Sequence, residues 1–350
     1  MTKTTSTSRR GFVKNAVAGI GLASLGGGPQ LLGTSGKVGN DIDKLPRKIW
    51  VASITSEGFQ PQTYQENIEL LLNRMEEVVP FHPDIVCLTE VAPFMKLVNR
   101  PPLEEIAEEK MGPITSRFAT FAKTHTCYVI IPLYTKENGR YYNASVLLDR
   151  KGNYAGEYRK IYLTVGEMKK GLTPGPTDPP VFNTDFGVVG MQICFDMQFF
   201  DGFKRLGEKG AEIVFWPSAY CAGKAINTVA WMNRYPVVSC SRDDPAKICD
   251  IDGSDIATSS IRFRHWICEP INLEKTIVKR WPHQKKLEAI VEKYGRKVKI
   301  EILDEEGWAI IESLSAELQV NDLLKEFEIE QFRTQNELAE GMYKTHRIHP

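Results

Sequence analysis

Short apolar runs without polar alternation recur along the body of this chain. KIWVASI (residues 48–54), DIVCLTE (84–90), CYVIIPLY (127–134), GVVGMQICF (187–195), AEIVFWPS (211–218) and VVSCS (237–241) all read as strands. A strand with one wet face alternates polar and apolar residues, whereas a strand covered on both faces does not. Amphipathic segments lie between these runs. One spans Tyr64 to about Val79 with Ile68, Leu71, Leu72 and Met75 on one face; others cover 114–124 and Phe200–Gly210, the last ending at a glycine suited to a helix C-terminus. CYVIIPLY and YNASVLLD (142–149) read as neighbouring strands joined by a turn at ENGR. Strands apolar on both sides, alternating with helices, predict an α/β fold in which helices cover sheets.

The composition supports a folded body and narrows its partners. Hydrophobic residues make up 42% of the 350, enough to bury a core. Lys plus Arg and Asp plus Glu both number 44, so net charge gives no reason to expect nucleic acid or an anionic membrane. No apolar run in the body is long enough for a membrane span, and no stable membrane anchor is expected.

The two ends differ from the body. SRRGFVK (8–14) precedes NAVAGIGLASL and a run of glycines, the basic, apolar and small-residue parts of an export signal. Arg9 and Arg10, followed by Phe12 and Lys14, resemble a twin-arginine signal, which implies a periplasmic or extracellular location. GIGLASLGG lacks a third glycine and a preceding strand, so it is not a dinucleotide fingerprint. Residues 1–44 are therefore read as signal and linker. After about Lys275 the pattern changes to a helix (280–295), a hairpin (298–313) and amphipathic helices (321–344) with Asn321 or Asp322 as N-cap. The extension is placed at 276–350.

The reactive residues fall at strand ends. There is no HExxH, no GxSxG elbow and no phosphate-binding loop, and only His346 and His349 approach ligand spacing. No metal and no cofactor is expected. Seven cysteines, an odd number without a CxxC pair, leave at least one thiol unpaired in the monomer. Glu90 closes DIVCLTE, Lys160 lies in EYRKIYLT, and Cys194 closes GVVGMQIC. Layered α/β folds gather active sites at strand ends. A thiol that attacks a carbonyl, an ammonium that stabilises the oxyanion and a carboxylate that moves protons form a workable hydrolytic set. Taken singly, each has an ordinary reading: a packed thiol, a turn carboxylate and a surface amine.

Together their contexts resemble the nitrilase superfamily, the carbon–nitrogen hydrolases. The resemblance rests on DIVCLTE with Thr89 in the usual Pro position, on Tyr158-Arg159-Lys160-Ile161-Tyr162-Leu163, and on ICFDMQFFDGFKRLGEKGAEIVFWPSAY (193–220). It runs over about residues 48–275, places the hydrolase domain at 45–275 and implies a four-layer α-β-β-α sandwich. It also implies Cys194 as nucleophile, Lys160 as oxyanion holder and Glu90 as general base. The Phe195 backbone N–H would be a second oxyanion donor. Glu167, in GEMKKGLTPG, matches a further family glutamate that orients the lysine. The neighbouring ammonium is expected to favour the Cys194 thiolate. Asp196 reads as a support for the loop, outside the triad.

The substrate implied is a small-molecule amide or N-carbamoyl compound, and the assembly implied is a homodimer or higher homo-oligomer. Tyr162, Phe199 and Trp216 are candidates for the pocket wall, with Phe94 and Phe195 as further aromatics. Cys194-Phe195-Asp196 is closer to the amidase and carbamoylase branches than to nitrile-cleaving members. Phe200-Asp201 and Met232 depart from the usual family residues. Two other readings use the same residues: transfer of the thioester acyl group to an amine, and a non-catalytic binding protein on the same fold.

Overall fold

The computed structural model describes Leu45 and residues 47–347. Residues 1–44, with the expected signal and linker, lie outside the described residues.

Two six-stranded sheets form the centre. The first contains β1 (Lys48–Ile54), β2 (Ile85–Leu88), β3 (Tyr128–Glu137), β4 (Arg140–Leu148), β5 (Tyr154–Arg159) and β12 (Trp266–Asn272), in the order β12-β1-β2-β3-β4-β5. The second contains β6 (Val181–Asn183), β7 (Val188–Met191), β8 (Ile213–Ser218), β9 (Val237–Ser241), β10 (Lys247–Cys249) and β11 (Asp255–Thr258), in the order β11-β10-β9-β8-β7-β6. At the heart of each sheet three strands run parallel: β1, β2 and β3 in one, β7, β8 and β9 in the other.

The unbroken apolar runs follow from this arrangement. On β1, Ile49 and Val51 enter the layer between the sheets, while Ala52 and Ile54 face the helices. On β3, Tyr128 and Ile130 face inward and Val129, Ile131 and Leu133 face outward. Helices Tyr64–Glu76 and Pro113–His125 cover the outer face of the first sheet through Ile68, Leu71, Met75 and Phe118. Asp201–Glu208 and Lys224–Asn233 cover the second through Phe203, Leu206, Ile226 and Val229. The result is the expected α-β-β-α stack, with the central strands of both sheets covered on both faces.

The extension builds a third sheet. β13 (Lys275–Lys279), β14 (Val298–Leu303) and β15 (Trp308–Ser313) run in the order β13-β15-β14, and helix Gln284–Tyr294 packs on them through Leu287 and Ile290. The helix expected to start after Asn321 or Asp322 instead spans Val320–Glu326 with Gln319 as N-cap. The cause is distant in sequence: Glu274 accepts a hydrogen bond from the Val320 N–H at 2.8 Å, so that end is capped from β13's approach. Helix Phe332–His346 meets the second helix layer, where Arg333 donates to the carbonyls of Gly207 (3.1 Å) and Asn233 (2.8 Å). All seven cysteines are free.

Candidate active site

Glu90, Lys160 and Cys194 each lie just beyond a strand: after β2, after β5 and after β7. Backbone strain marks two of these exits. Cys194 adopts φ 44° and Val91, next to Glu90, φ 40°. Left-handed conformations cost non-glycine residues about 1–3 kcal/mol and persist only where the surroundings enforce them. At Cys194 the surroundings are visible. The Trp216 Nε1–H donates to the Cys194 carbonyl at 3.2 Å, and Asp196 Oδ2 accepts from the Ile193 N–H at 2.7 Å. Cys194 itself opens a short 3-10 turn that ends at Gln198. The strand stops at Met191, so the nucleophile candidate stands on a turn rather than on the strand end. Phe195 follows it at the start of the turn, where N–H groups have no intrahelical partner.

Lys160 is the centre of the charge cluster and is 1% exposed. Its Nζ donates to Glu90 Oε1 at 2.7 Å and to Glu167 Oε1 and Oε2 at 3.0 and 2.9 Å. Asn143, on β4, donates from Nδ2 to the same Glu90 oxygen (2.8 Å) and to Glu167 Oε1 (2.7 Å). One amide and one ammonium therefore hold two carboxylates together. Glu167 is fixed further by a capping box: Thr164 N–H and Oγ1 donate to Glu167 Oε2 at 2.8 and 3.0 Å. Burial would lower the Lys160 ammonium pKa, but Glu90, Cys194 and Glu167 outweigh it and raise it. Burial would raise the Glu167 carboxyl, but the charge and hydrogen bond of Lys160, with Asn143 and Thr164, hold it below the usual range.

The thiol behaves differently from the expectation that the ammonium would release its proton. Burial pushes the Cys194 thiol up to about 12, and the Glu90 charge acts in the same direction. Lys160, the Ala219 N–H and the Ser218 hydroxyl oppose this without overcoming it. The cluster has two carboxylates for one ammonium, so a resting thiolate would add a second excess negative charge in a dry place.

Asp196 takes the support role expected of it. It is fully buried, and it accepts from Tyr158 OH (2.7 Å), the Tyr162 N–H (2.8 Å) and the Ile193 N–H (2.7 Å). Burial dominates its titration and pushes the carboxyl up to about 6.

The aromatic candidates separate. Tyr162 and Phe199 stack with ring centroids 3.9 Å apart, and Phe199 and Phe195 meet edge to face at 5.9 Å. Trp216, expected on the pocket wall, is fully buried among Phe203, Leu206 and Val229 on the helix side of β8; it reaches the site through the bond to the Cys194 carbonyl and an edge-to-face contact with Tyr220. Phe94 is likewise buried and stacks on Tyr134 at 5.6 Å. Asn143 and Ser218 were not singled out in the sequence. Asn143 bridges the glutamates, and Ser218 faces the thiol while its carbonyl accepts from Thr89 Oγ1 at 2.8 Å. A polar residue inside an otherwise apolar strand was the available signal for both. Among the described residues no cluster of His, Cys, Asp and Glu has metal-binding geometry.

The carbon-nitrogen hydrolase profile matches residues 51–242, more than half of the 350. The chain belongs to the carbon-nitrogen hydrolase family. Among curated relatives of this carbon-nitrogen hydrolase, N-carbamoylputrescine amidase of Arabidopsis thaliana is 31% identical over 113 residues, covering 31% of this chain and 38% of the relative. Deaminated glutathione amidase of Mus musculus is 28% identical over 172 residues, covering 45% and 52%. The matches thus span about half or less of those relatives. Among solved structures, an amidase from Nesterenkonia sp. superposes with TM-score 0.57 at 16% identity, covering 65% of this chain and 91% of that one. A variant of the Nesterenkonia sp. AN1 amidase shows covalent addition of the acetamide moiety of fluoroacetamide at its active site cysteine. These neighbours share the layered fold described above.

Proposed function

We propose that this carbon-nitrogen hydrolase cleaves a non-peptide C–N bond, in an amide or N-carbamoyl compound, through a thioester on Cys194. The observation that carries the reading is the buried Lys160 ammonium, bonded to Glu90 and Glu167 and set beside a protonated thiol. Glu90 Oε1 is occupied by Lys160 and Asn143, which leaves Oε2 to take the thiol proton as sulfur attacks the amide carbon. Lys160 has three N–H groups: one serves Glu90, one is shared by the two oxygens of Glu167, and the third is left for the oxyanion. The Phe195 N–H is the second donor. The C–N bond breaks as Glu90 returns its proton to the nitrogen, which leaves as ammonia or an amine. Water then attacks the thioester, Glu90 takes its proton, and the acid and the thiol are released. The amidase names of the relatives, and the cysteine adduct of the structural neighbour, support this chemistry.

The deciding experiment is a panel of aliphatic amides, side-chain amides and N-carbamoyl compounds assayed for ammonia and acid. Wild type turns over at least one class, and Cys194→Ala turns over none. Intact mass of wild type quenched in acid during turnover shows an acyl adduct on Cys194. Full turnover by Cys194→Ala overturns the reading, and conjugates in place of free acid when amines are present convert it to acyl transfer. We further propose that Arg9 and Arg10 direct export of the folded enzyme. Lysine at both positions retains it inside the cell; unchanged fractionation would refute that step.

A further inference from the structure

The loop that follows Glu90 packs against β3 and carries a cation. After Val91 the chain makes a short 3-10 turn, Ala92–Phe94, whose Phe94 ring stacks on Tyr134. Arg100, on the same loop, donates from Nη2 to the Met95 carbonyl (3.3 Å) and from Nη1 to Tyr134 OH (3.2 Å). Tyr134 stands directly opposite Asn143 in the β3–β4 pair. Residues opposite each other in an antiparallel pair share a face, with Cβ atoms about 4.5–5.5 Å apart. Asn143 is the amide that bridges Glu90 and Glu167. Burial raises the Tyr134 phenol, Arg100 opposes that rise, and the charges of Glu90 and Glu167 add to it, so the hydroxyl is in electrostatic reach of both.

Arg100 is spare in a way that its neighbours are not. Lys96, on the same loop, is paired with Asp243, which also takes Arg242. Among the described residues no carboxylate lies within ion-pair distance of Arg100. A guanidinium has five N–H donors in a planar fork that suits a carboxylate; here Nη1 meets Tyr134 OH, Nη2 meets the Met95 carbonyl and sulfur, and among the described residues Nε makes no hydrogen bond. An exposed arginine is ordinarily a mobile surface charge; this one is tied back to Met95 and to the Tyr134 hydroxyl. The cluster beyond it has two carboxylates and one ammonium, an excess of negative charge that repels an acid-bearing molecule. Such a molecule needs a compensating cation at its far end.

We propose that Arg100, oriented by Tyr134, selects amide substrates that carry a carboxylate at the end away from the scissile C–N bond. The substrate acid sits on the Arg100 fork while its amide carbon meets Cys194. This rests on the reading of Cys194 as the nucleophile.

The test compares monoamides of dicarboxylic acids, over a series of chain lengths, with neutral amides of equal length. Wild type favours the acid amides, with one chain length best. In Arg100→Ala the KM for that acid amide rises about 10- to 100-fold, the scale of one charged hydrogen-bonded contact, while neutral amides keep their kcat/KM. Arg100→Lys recovers part of the loss, since it restores charge without the fork. Calorimetry on Cys194→Ala gives the same order without turnover: the acid amide binds, and adding Arg100→Ala weakens it. Equal use of acid and neutral amides by wild type, or equal loss of both in Arg100→Ala, overturns the selection and leaves the hydrolase reading standing. No turnover of either series, with no binding to Cys194→Ala, overturns both.

Discussion

Two buried carboxylate networks meet beneath Cys194, and they are built on opposite principles. They share one stretch of chain: Tyr158, Lys160 and Tyr162 alternate at the end of β5, with Lys160 serving one network and the two tyrosine positions the other. Around Lys160, carboxylates face a cation: Glu90 and Glu167 hold one ammonium, and Asn143 ties them together. Around Asp196, a carboxylate faces only neutral donors, two backbone N–H groups and the Tyr158 hydroxyl. In the first network the carboxylates raise the Lys160 ammonium, and Lys160 in turn lowers the Glu167 carboxyl. The second carries a charge that burial works against, with the carboxyl pushed up to about 6. The division matches two tasks. Proton and oxyanion chemistry needs opposite charges within reach of the thiol; fixing a turn in a strained conformation needs an acceptor that grips several donors at once.

The sharpest way to break this contrast is Lys160→Met. It leaves two buried carboxylates facing each other without a cation. Removing one partner of a buried ion pair costs about 3–5 kcal/mol. Turnover falls by at least about 10²–10³-fold, the scale of one lost oxyanion donor. Adding Glu167→Gln to Lys160→Met recovers part of the stability, measured by urea denaturation, and none of the activity. Recovery of activity would show that Lys160 serves only to compensate charge.

The layered fold was legible because burial on both faces leaves an unbroken apolar run, as in CYVIIPLY and AEIVFWPS. Glu90 and Cys194 drew notice because each follows such a run; Lys160, in EYRKIYLT, drew notice through its place in the family resemblance. The face that a residue takes was not legible. Trp216 lies on β8 beside Phe215, and the two point in opposite directions; only the pairing of β8 with its neighbours decides that Trp216 meets helices and Phe215 meets the other sheet. Asn143 was hidden for a related reason. In YNASVLLD it reads as one polar residue in a strand, and its role appears only when β4 is placed beside Glu90 and Glu167. The state of the thiol could not be read from neighbours in sequence either, because burial outweighs the ammonium. The start of helix Val320–Glu326 depends on Glu274, far upstream.

Asp196→Asn sharpens the second half of the contrast. The amide keeps one acceptor oxygen and presents an NH₂ group to donors that the other oxygen had satisfied. Leaving such groups unmatched costs about 1–3 kcal/mol, and turnover falls with the loss of the fixed turn. The pH dependence has a definite sign. The folded carboxyl lies near 6 against an ordinary value of 3.8. A carboxyl raised by folding contributes stability that is present below about pH 4 and is lost as pH rises through about 6. Wild type therefore loses, from this group, about 3 kcal/mol across that window, at 1.36 kcal/mol per unit. Asp196→Asn removes that slope in urea titrations at pH 4.5 and 7. Activity runs the other way, since the charged form grips the turn: kcat/KM in wild type falls below about pH 6. A wild-type profile flat to pH 5 would separate the turn from the Asp196 charge.

Tyr158→Phe is the mildest break and isolates one donor. It removes the 2.7 Å bond to Asp196 and the acceptor of the Ile161 N–H at 3.2 Å, while both backbone donors to Asp196 remain. The cost is about 1–2 kcal/mol, and turnover changes by less than about tenfold. The Tyr158 hydroxyl is one of the groups that lower the Asp196 carboxyl against burial. Without it the carboxyl rises, so the acid limb of kcat/KM moves to higher pH while the plateau stays near the wild-type level. A lower plateau with an unmoved limb would assign Tyr158 to packing between the sheets, and would leave Asp196 held by its backbone donors alone.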